Sequence, residues 1–254
     1  MAVHVSNHLA AWGEPTIATK AIWKQAESDL QIPLGSGKSD PVVWEHAVRV
    51  VGLALQMLTL PDLAGQRIDR SALVAAALYH DAAWAFQARK QQIPRAEVLT
   101  RPTSDAQREL SATLLEQAAS GLLPEATLRT AARAIREAGR RTTQLGEACV
   151  LAEADNLDEI GPQAVWLMIR RYTNDARGID AVLDAWRRQR EYRYWEARLR
   201  ECFRYDVTRR LARQRLEAVE RMMSDLARAH HLEDVAEFLT GADMSRRPAN
   251  QPSA

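Results

Sequence analysis

An all-α protein is what this sequence predicts, and three observations carry the prediction. Apolar residues recur at three-four spacing through nearly every segment, the apolar-polar alternation of strands is hard to find, and proline or glycine punctuates the segments. At 254 residues the chain is one domain with additions or two small ones, long enough for a sizeable core. With 46% hydrophobic and 26% charged residues it falls among ordinary globular proteins rather than disordered chains.

The first helix is expected from Thr16 to Leu30. Gly35-Ser36-Gly37-Lys38-Ser39 then resembles the end of a phosphate-binding P-loop, but that pattern needs glycine where Ile32 stands and a strand running into it, so the segment reads as a linker. Asp40-Pro41 supplies an N-cap and a proline at the first helical position, which starts a helix from Pro41 to Leu60. After the break at Pro61-Asp62 a single helix runs from Ser71 to Gln92. Beyond Pro94 to Thr103 follow helices Ser104 to Ala119, Pro124 to Ala138, Gln144 to Ile160 and Pro162 to Asn174, separated at Gly121, Gly139 and Gly161-Pro162. Ile179 to Phe203 and Asp206 to His231 form two long arms, and the polar end from Ser245 to Ala254 is expected to fray. The organisation is thus an N-terminal helix and linker (1–40), a helical core (41–178), long C-terminal helices packing on the core or a partner (179–240) and a disordered tail (241–254).

A net charge of +1 gives no electrostatic case for binding nucleic acid in bulk or a membrane surface. The arms do gather arginines and aromatics from Trp186 to Arg200. Glu191, Glu196, Glu201 and Asp206 interrupt that charge, which favours a solvated face with ion pairs within the helix over a nucleic-acid surface. The stripe Val207, Leu211, Leu216, Val219, Met222, Met223 and Leu226 fits either core or the seam of a homodimer. Two isolated cysteines, Cys149 and Cys202, do not make a disulfide framework and are expected to be reduced thiols. The first fifteen residues hold no lysine or arginine and no sustained apolar run, and no stretch reaches membrane-spanning length; a cytoplasmic protein is expected.

The chemistry starts from His80 and Asp81, which sit together in an apolar run. Helical steps from them meet Leu73, Val74, Ala77, Leu78, Trp84 and Ala85. A carboxylate beside an imidazole in such surroundings is costly unless each is paired, hydrogen-bonded or bound to a metal. Two further positions on other helices point inward. His46 lies on the stripe Val43, His46, Val50, Leu53, Met57, and Asp155 follows Ala148, Leu151 and Ala152 on one face. Taken singly, each has a bland reading as a satisfied core residue or a buried hydrogen-bonded pair; together they form a mixed nitrogen and oxygen ligand set.

The order His46, His80-Asp81, Asp155 resembles the HD superfamily of metal-dependent phosphohydrolases, helical proteins named for their adjacent His-Asp pair. Trp44-Glu45-His46-Ala47-Val48-Arg49-Val50 is similar to the family's first-helix pattern, and Ala154-Asp155-Asn156-Leu157-Asp158-Glu159-Ile160-Gly161 to its A-D-x-L-D-x-x-G region. The likeness extends from Pro41 to Leu226 and includes Ser111-Ala112 and the Thr208 to Arg215 run. It implies a helical bundle, here with a C-terminal pair of long helices, and one divalent ion (Mn, Fe, Co, Ni or Mg) held by His46, His80, Asp81 and Asp155. It also implies hydrolysis of a phosphomonoester or nucleotide by metal-bound hydroxide. By position, Asp81 is the candidate both to ligate and to accept a proton. Arg49, three residues after His46 on a neighbouring part of the same face, is the first phosphate-contact candidate beside its plain reading as a surface arginine, and Asp158, one turn after Asp155, is the candidate to orient a ligand or a water. Arg136, Arg140, Arg141, Arg170 and Arg171 are other phosphate candidates that the sequence does not rank.

Two departures shape the expectation. Many members read HDIG or HDxG where this chain has His80-Asp81-Ala82-Ala83, so the helix is expected to run on to Trp84. No histidine lies between the pair and Asp155, the six being His4, His8, His46, His80, His230 and His231, which predicts one metal rather than a dinuclear centre. The rival readings are a catalytically silent HD module that binds a nucleotide or a protein partner, and an arginine-rich nucleic-acid binder.

Overall fold

The computed structural model describes residues 17–240, so His4, His8 and the predicted C-terminal tail lie outside the described residues. The fold is helical with one small two-stranded sheet. Helix α1 (Ile17–Asp29) buries Ile22, Trp23 and Ala26 and ends on a side-chain bond, Tyr79 donating its hydroxyl to Asp29 Oδ2 at 2.7 Å.

The predicted linker is instead an antiparallel hairpin of β1 (Ile32–Gly35) and β2 (Lys38–Asp40). Its two-residue turn places Ser36 at φ 49° and Gly37 at φ 73°, the paired left-handed conformation that matches the twist of the flanking strands. Strands of four and three residues are too short to show alternation, which is why the pairing escaped the sequence pattern. A strand does run into this turn, contrary to the sequence expectation, but Ile32 stands where the P-loop pattern needs glycine and no helix begins at the turn.

Helix α2 (Val42–Met57) follows, with Asp40 Oδ1 accepting from the Val42 amide at 3.2 Å, so the helix starts one residue later than the proline suggested. Helix α3 (Arg70–Tyr79) is capped by Asp69, whose Oδ1 accepts from Ser71 N and Ala72 N at 2.9 and 3.0 Å. Every residue from Ala72 to Tyr79 is buried, and a helix apolar all round must be central. It packs against α1, α2, α5 (Asp105–Ala119), α6 (Glu125–Glu137) and α7 (Gly146–Asp158).

One expected helix is two. The run from Ser71 to Gln92 breaks at His80-Asp81 and resumes as α4 (Ala82–Arg89). Asp81 leaves helical geometry at φ −114°, ψ 17°, and Ser111 Oγ on α5 accepts the Ala83 amide at 3.0 Å. The partner for that amide comes from another helix, which local periodicity does not register.

After α8 (Pro162–Asn174) the first predicted arm also divides, into α9 (Ile179–Glu191) and α10 (Tyr194–Glu201), at Arg193 in the left-handed region with φ 51°. The second arm holds as α11 (Asp206–His230), and a short α12 (Glu233–Leu239) follows it. The C-terminal pair of long helices is therefore one long helix and a broken one. Of the α11 stripe, Leu216, Val219 and Met223 are buried within the chain, while Leu211 and Met222 stay exposed. Trp186 and Trp195 are buried together with ring centroids 5.9 Å apart, and of the surrounding arginines Arg187 pairs with Asp184 at 3.1 Å and Arg200 with Glu201 at 2.6 Å, while Arg198 reaches Glu159 on the core. Cys149 and Cys202 are both free. Among the described residues no helix is long and apolar enough to cross a membrane.

Candidate metal centre

Three separate pieces of backbone deliver the four candidate ligands. His46 comes from the second turn of α2, His80 and Asp81 from the break between α3 and α4, and Asp155 from the last turn of α7. The break aims both members of the pair at one point, which a continuous helix would spread by about 100°. His46 Nε2 lies 3.1 Å from His80 Nε2, 3.5 Å from Asp81 Oδ2 and 3.3 Å from Asp155 Oδ1. His80 Nε2 lies 3.6 Å from Asp81 Oδ2 and 3.4 Å from Asp155 Oδ1. Ligands about 2.1 Å from a shared ion are separated by about 3.0 to 3.4 Å at octahedral or tetrahedral angles, so these spacings fit a common ion.

The hydrogen bonds behind the ligands fix the imidazoles. His80 Nδ1 faces the Ala77 carbonyl at 2.9 Å, and since a carbonyl only accepts, that nitrogen carries the hydrogen. His46 Nδ1 donates to Asp158 Oδ2 at 2.8 Å. In the neutral rings both Nε2 lone pairs therefore face inward, 3.1 Å apart, and repel unless a cation lies among them. Asp155 Oδ1 is also buried and, among the described residues, accepts no hydrogen bond. An orphaned carboxylate oxygen beside two convergent lone pairs is the arrangement a divalent ion relieves.

The charges agree with the geometry. Burial opposes ionisation of the whole cluster, and mutual attraction overcomes it. His46 is pushed well above the usual imidazole range by Asp155, Asp158 and Asp81, and His80 is raised by Asp81 and Asp155. Against burial, the charge of His80 foremost holds Asp81 and Asp155 below the usual carboxylate range. A cluster that retains protons this strongly is short of positive charge.

The remaining sequence candidates take definite places. Asp158 is buried behind His46, and it also receives Arg49 Nε at 2.8 Å and Nη2 at 3.0 Å. Arg49 thus spends one edge of its guanidinium on a carboxylate rather than turning it outward. Arg136 is bonded to Glu109 and Glu116, and Arg170 to Asp40. The sequence reading missed the support behind Asp81: Thr103 donates to Asp81 Oδ1 at 2.6 Å and is itself held by Trp84 Nε1 at 2.9 Å. Thr103 stands in the aperiodic stretch after Pro94, where spacing carries no signal.

The cluster is not sealed. The Asp155 side chain is 29% exposed against 5–8% for the other three ligands, so access to the centre lies on the α7 side. A separate cavity of about 780 Å³ lies among α9, α10 and α11, and none of the four residues lines it. Residues 43–160 match the family model of the HD domain, a segment that runs from the first turn of α2 to just past α7 and contains all four candidate ligands. No curated protein and no solved structure matches the chain.

Proposed function

From the match of residues 43–160 to the HD-domain family model, we propose that this chain is a hydrolase of small phosphorylated compounds, phosphomonoesters or nucleotides, working with one divalent ion. The observation that carries the reading is the convergence of His46 Nε2, His80 Nε2, Asp81 Oδ2 and Asp155 Oδ1, each nitrogen oriented from behind. Such an ion, when bound, lowers the pKa of a water and polarises a phosphoryl oxygen.

The chain's own residues do the rest. The neutral imidazoles and the two carboxylates make a mixed nitrogen and oxygen set that suits Mn, Fe, Co or Ni rather than the thiolate-rich coordination of structural zinc, and four ligands leave room on a six-coordinate ion for water and substrate. Asp158 holds His46 in the ligating tautomer, and Arg49 holds Asp158. Asp81 presents Oδ2 to the centre while Thr103 fixes Oδ1, which places a carboxylate to accept a proton as water attacks phosphorus. Partial exposure at Asp155 gives a substrate phosphate its approach.

The test is metal content and phosphate release from a panel of nucleotides and phosphomonoesters, for wild type and Asp81→Ala side by side. About one equivalent of transition metal with release that vanishes in Asp81→Ala is expected. Wild-type protein that takes up no metal and releases no phosphate defeats the proposal.

A further inference from the structure

The C-terminal helices lie outside the matched segment, yet one of their arginines reaches the last turn of α7, the turn that carries Asp155 and Asp158. Arg215, on the half-buried flank of α11, crosses to the end of α7 and donates Nη1 to the Leu157 carbonyl at 2.7 Å. That carbonyl stands between Asp155 and Asp158 in the chain. The stem of Arg215 passes Gly161, where a β-carbon would come within 3.9 Å of its Cδ.

Two properties separate Arg215 from its neighbours. Among the described residues no carboxylate lies within 4.0 Å of it, whereas Arg49 is paired with Asp158, and Arg198 with Glu159. A single hydrogen bond to a carbonyl uses one donor of its fork, and among the described residues the other donors have no protein acceptor. Burial weakens its hold on its proton, and the nearby charges of Asp158 and Arg49 act on it in opposite directions, so two guanidiniums stand near one carboxylate. The charges then sum simply. Asp81 and Asp155 match a divalent ion, Asp158 matches Arg49, and Arg215 is left, among the described residues, as a cation without a carboxylate partner at the end of α7.

We propose that Arg215 binds the phosphoryl group of the substrate, so that α11 completes an active site whose ligands all lie in the HD segment. The inference rests on the phosphohydrolase reading above and adds to it the residue that meets the substrate's negative charge. A partly desolvated guanidinium with free donors suits a phosphate dianion, which it can take up two-pronged. Arg49, already forked onto Asp158, then acts as a positioning residue.

The experiment uses the full chain loaded with Mn. Inorganic phosphate is titrated by calorimetry into wild type, Arg215→Gln, Arg215→Lys and Arg210→Ala, an exposed arginine on the same helix. Metal content and steady-state kinetics are read in parallel. Arg215→Gln keeps a donor for the Leu157 carbonyl and removes the charge, so it should hold full metal, bind phosphate about tenfold or more weakly and raise KM. Arg215→Lys should recover part of the affinity, and Arg210→Ala should match wild type. Wild-type phosphate affinity in Arg215→Gln with metal retained overturns this proposal and leaves the hydrolase reading intact. Loss of metal in Arg215→Gln that Arg215→Lys restores without restoring phosphate affinity also overturns it, because the residue would then serve structure. Metal-loaded wild type that neither binds phosphate nor turns over substrate defeats the underlying reading and this inference together.

Discussion

At the scale of single residues the candidate centre depends on groups behind its four ligand atoms. Asp158 accepts from His46 Nδ1 and from both prongs of Arg49, so its charge selects the imidazole tautomer and anchors the guanidinium. Asp158→Asn keeps the volume and removes the charge, and metal affinity should fall about 10- to 100-fold, read by competition with a chromophoric chelator. The histidines also set a dependence on pH. In metal-free protein the carboxylates raise the folded pKa of His46 and His80 above the unfolded value of 6.5. Their contribution to stability is then complete below about pH 6.5 and is lost as pH rises through the folded values. Metal binding needs both Nε2 atoms unprotonated, so its affinity rises over the same range. Melting curves from pH 6 upward should therefore show the chelated protein losing stability as the gain from added Mn grows. A gain from Mn that is constant with pH would mean that protons and metal do not compete for these nitrogens.

At the scale of elements the site depends on a helix break. Ser111 is fully buried and accepts the Ala83 amide, the group left free where α3 gives way to α4. Ser111→Ala leaves that amide unsatisfied and should cost about 1–3 kcal/mol by chemical denaturation, with weaker metal binding because Asp81 loses its footing. Undiminished stability would show that the break is set by Asp81 itself. This break also marks how far the sequence could be read. Inward placement of His46, His80 and Asp81 was legible from their apolar neighbours at helical spacing, whereas Asp155, expected inward on the same grounds, is only half-buried; helix starts such as Ser104 were legible from side-chain caps. The break was not, since the Ala83 amide finds its acceptor 28 residues away on α5. The same holds for Thr103 behind Asp81, for the left-handed turn at Arg193 that splits the first arm, and for Arg215, whose site neighbour Leu157 is 58 residues distant in the chain. Periodicity reports which face of a helix is buried and is silent on what that face meets.

At the scale of the whole molecule the four ligands tie together pieces that are far apart in sequence, with His46 on α2, His80 and Asp81 at the junction of α3 and α4, and Asp155 on α7. Helix α11 packs on α7, so the C-terminal helices are joined to the same structure. An ion held by all of these contacts binds the folded chain far better than the unfolded one, and mass action turns that preference into stability: about 2.7 kcal/mol when free metal is at 100 times its dissociation constant. Chelation should accordingly lower the melting temperature of wild type by several degrees, and returning Mn should restore it. Asp81→Ala removes a ligand, and with it one of the carboxylates that attract protons to His46 and His80, so its melting temperature should be indifferent to both chelator and Mn. The comparison with Asp158→Asn decides where the coupling resides. That variant keeps all four ligands, so it should still respond to Mn, but only at metal concentrations raised in proportion to its weaker binding. An equal response of wild type and Asp81→Ala would place any stabilising ion elsewhere on the chain and remove the centre described here.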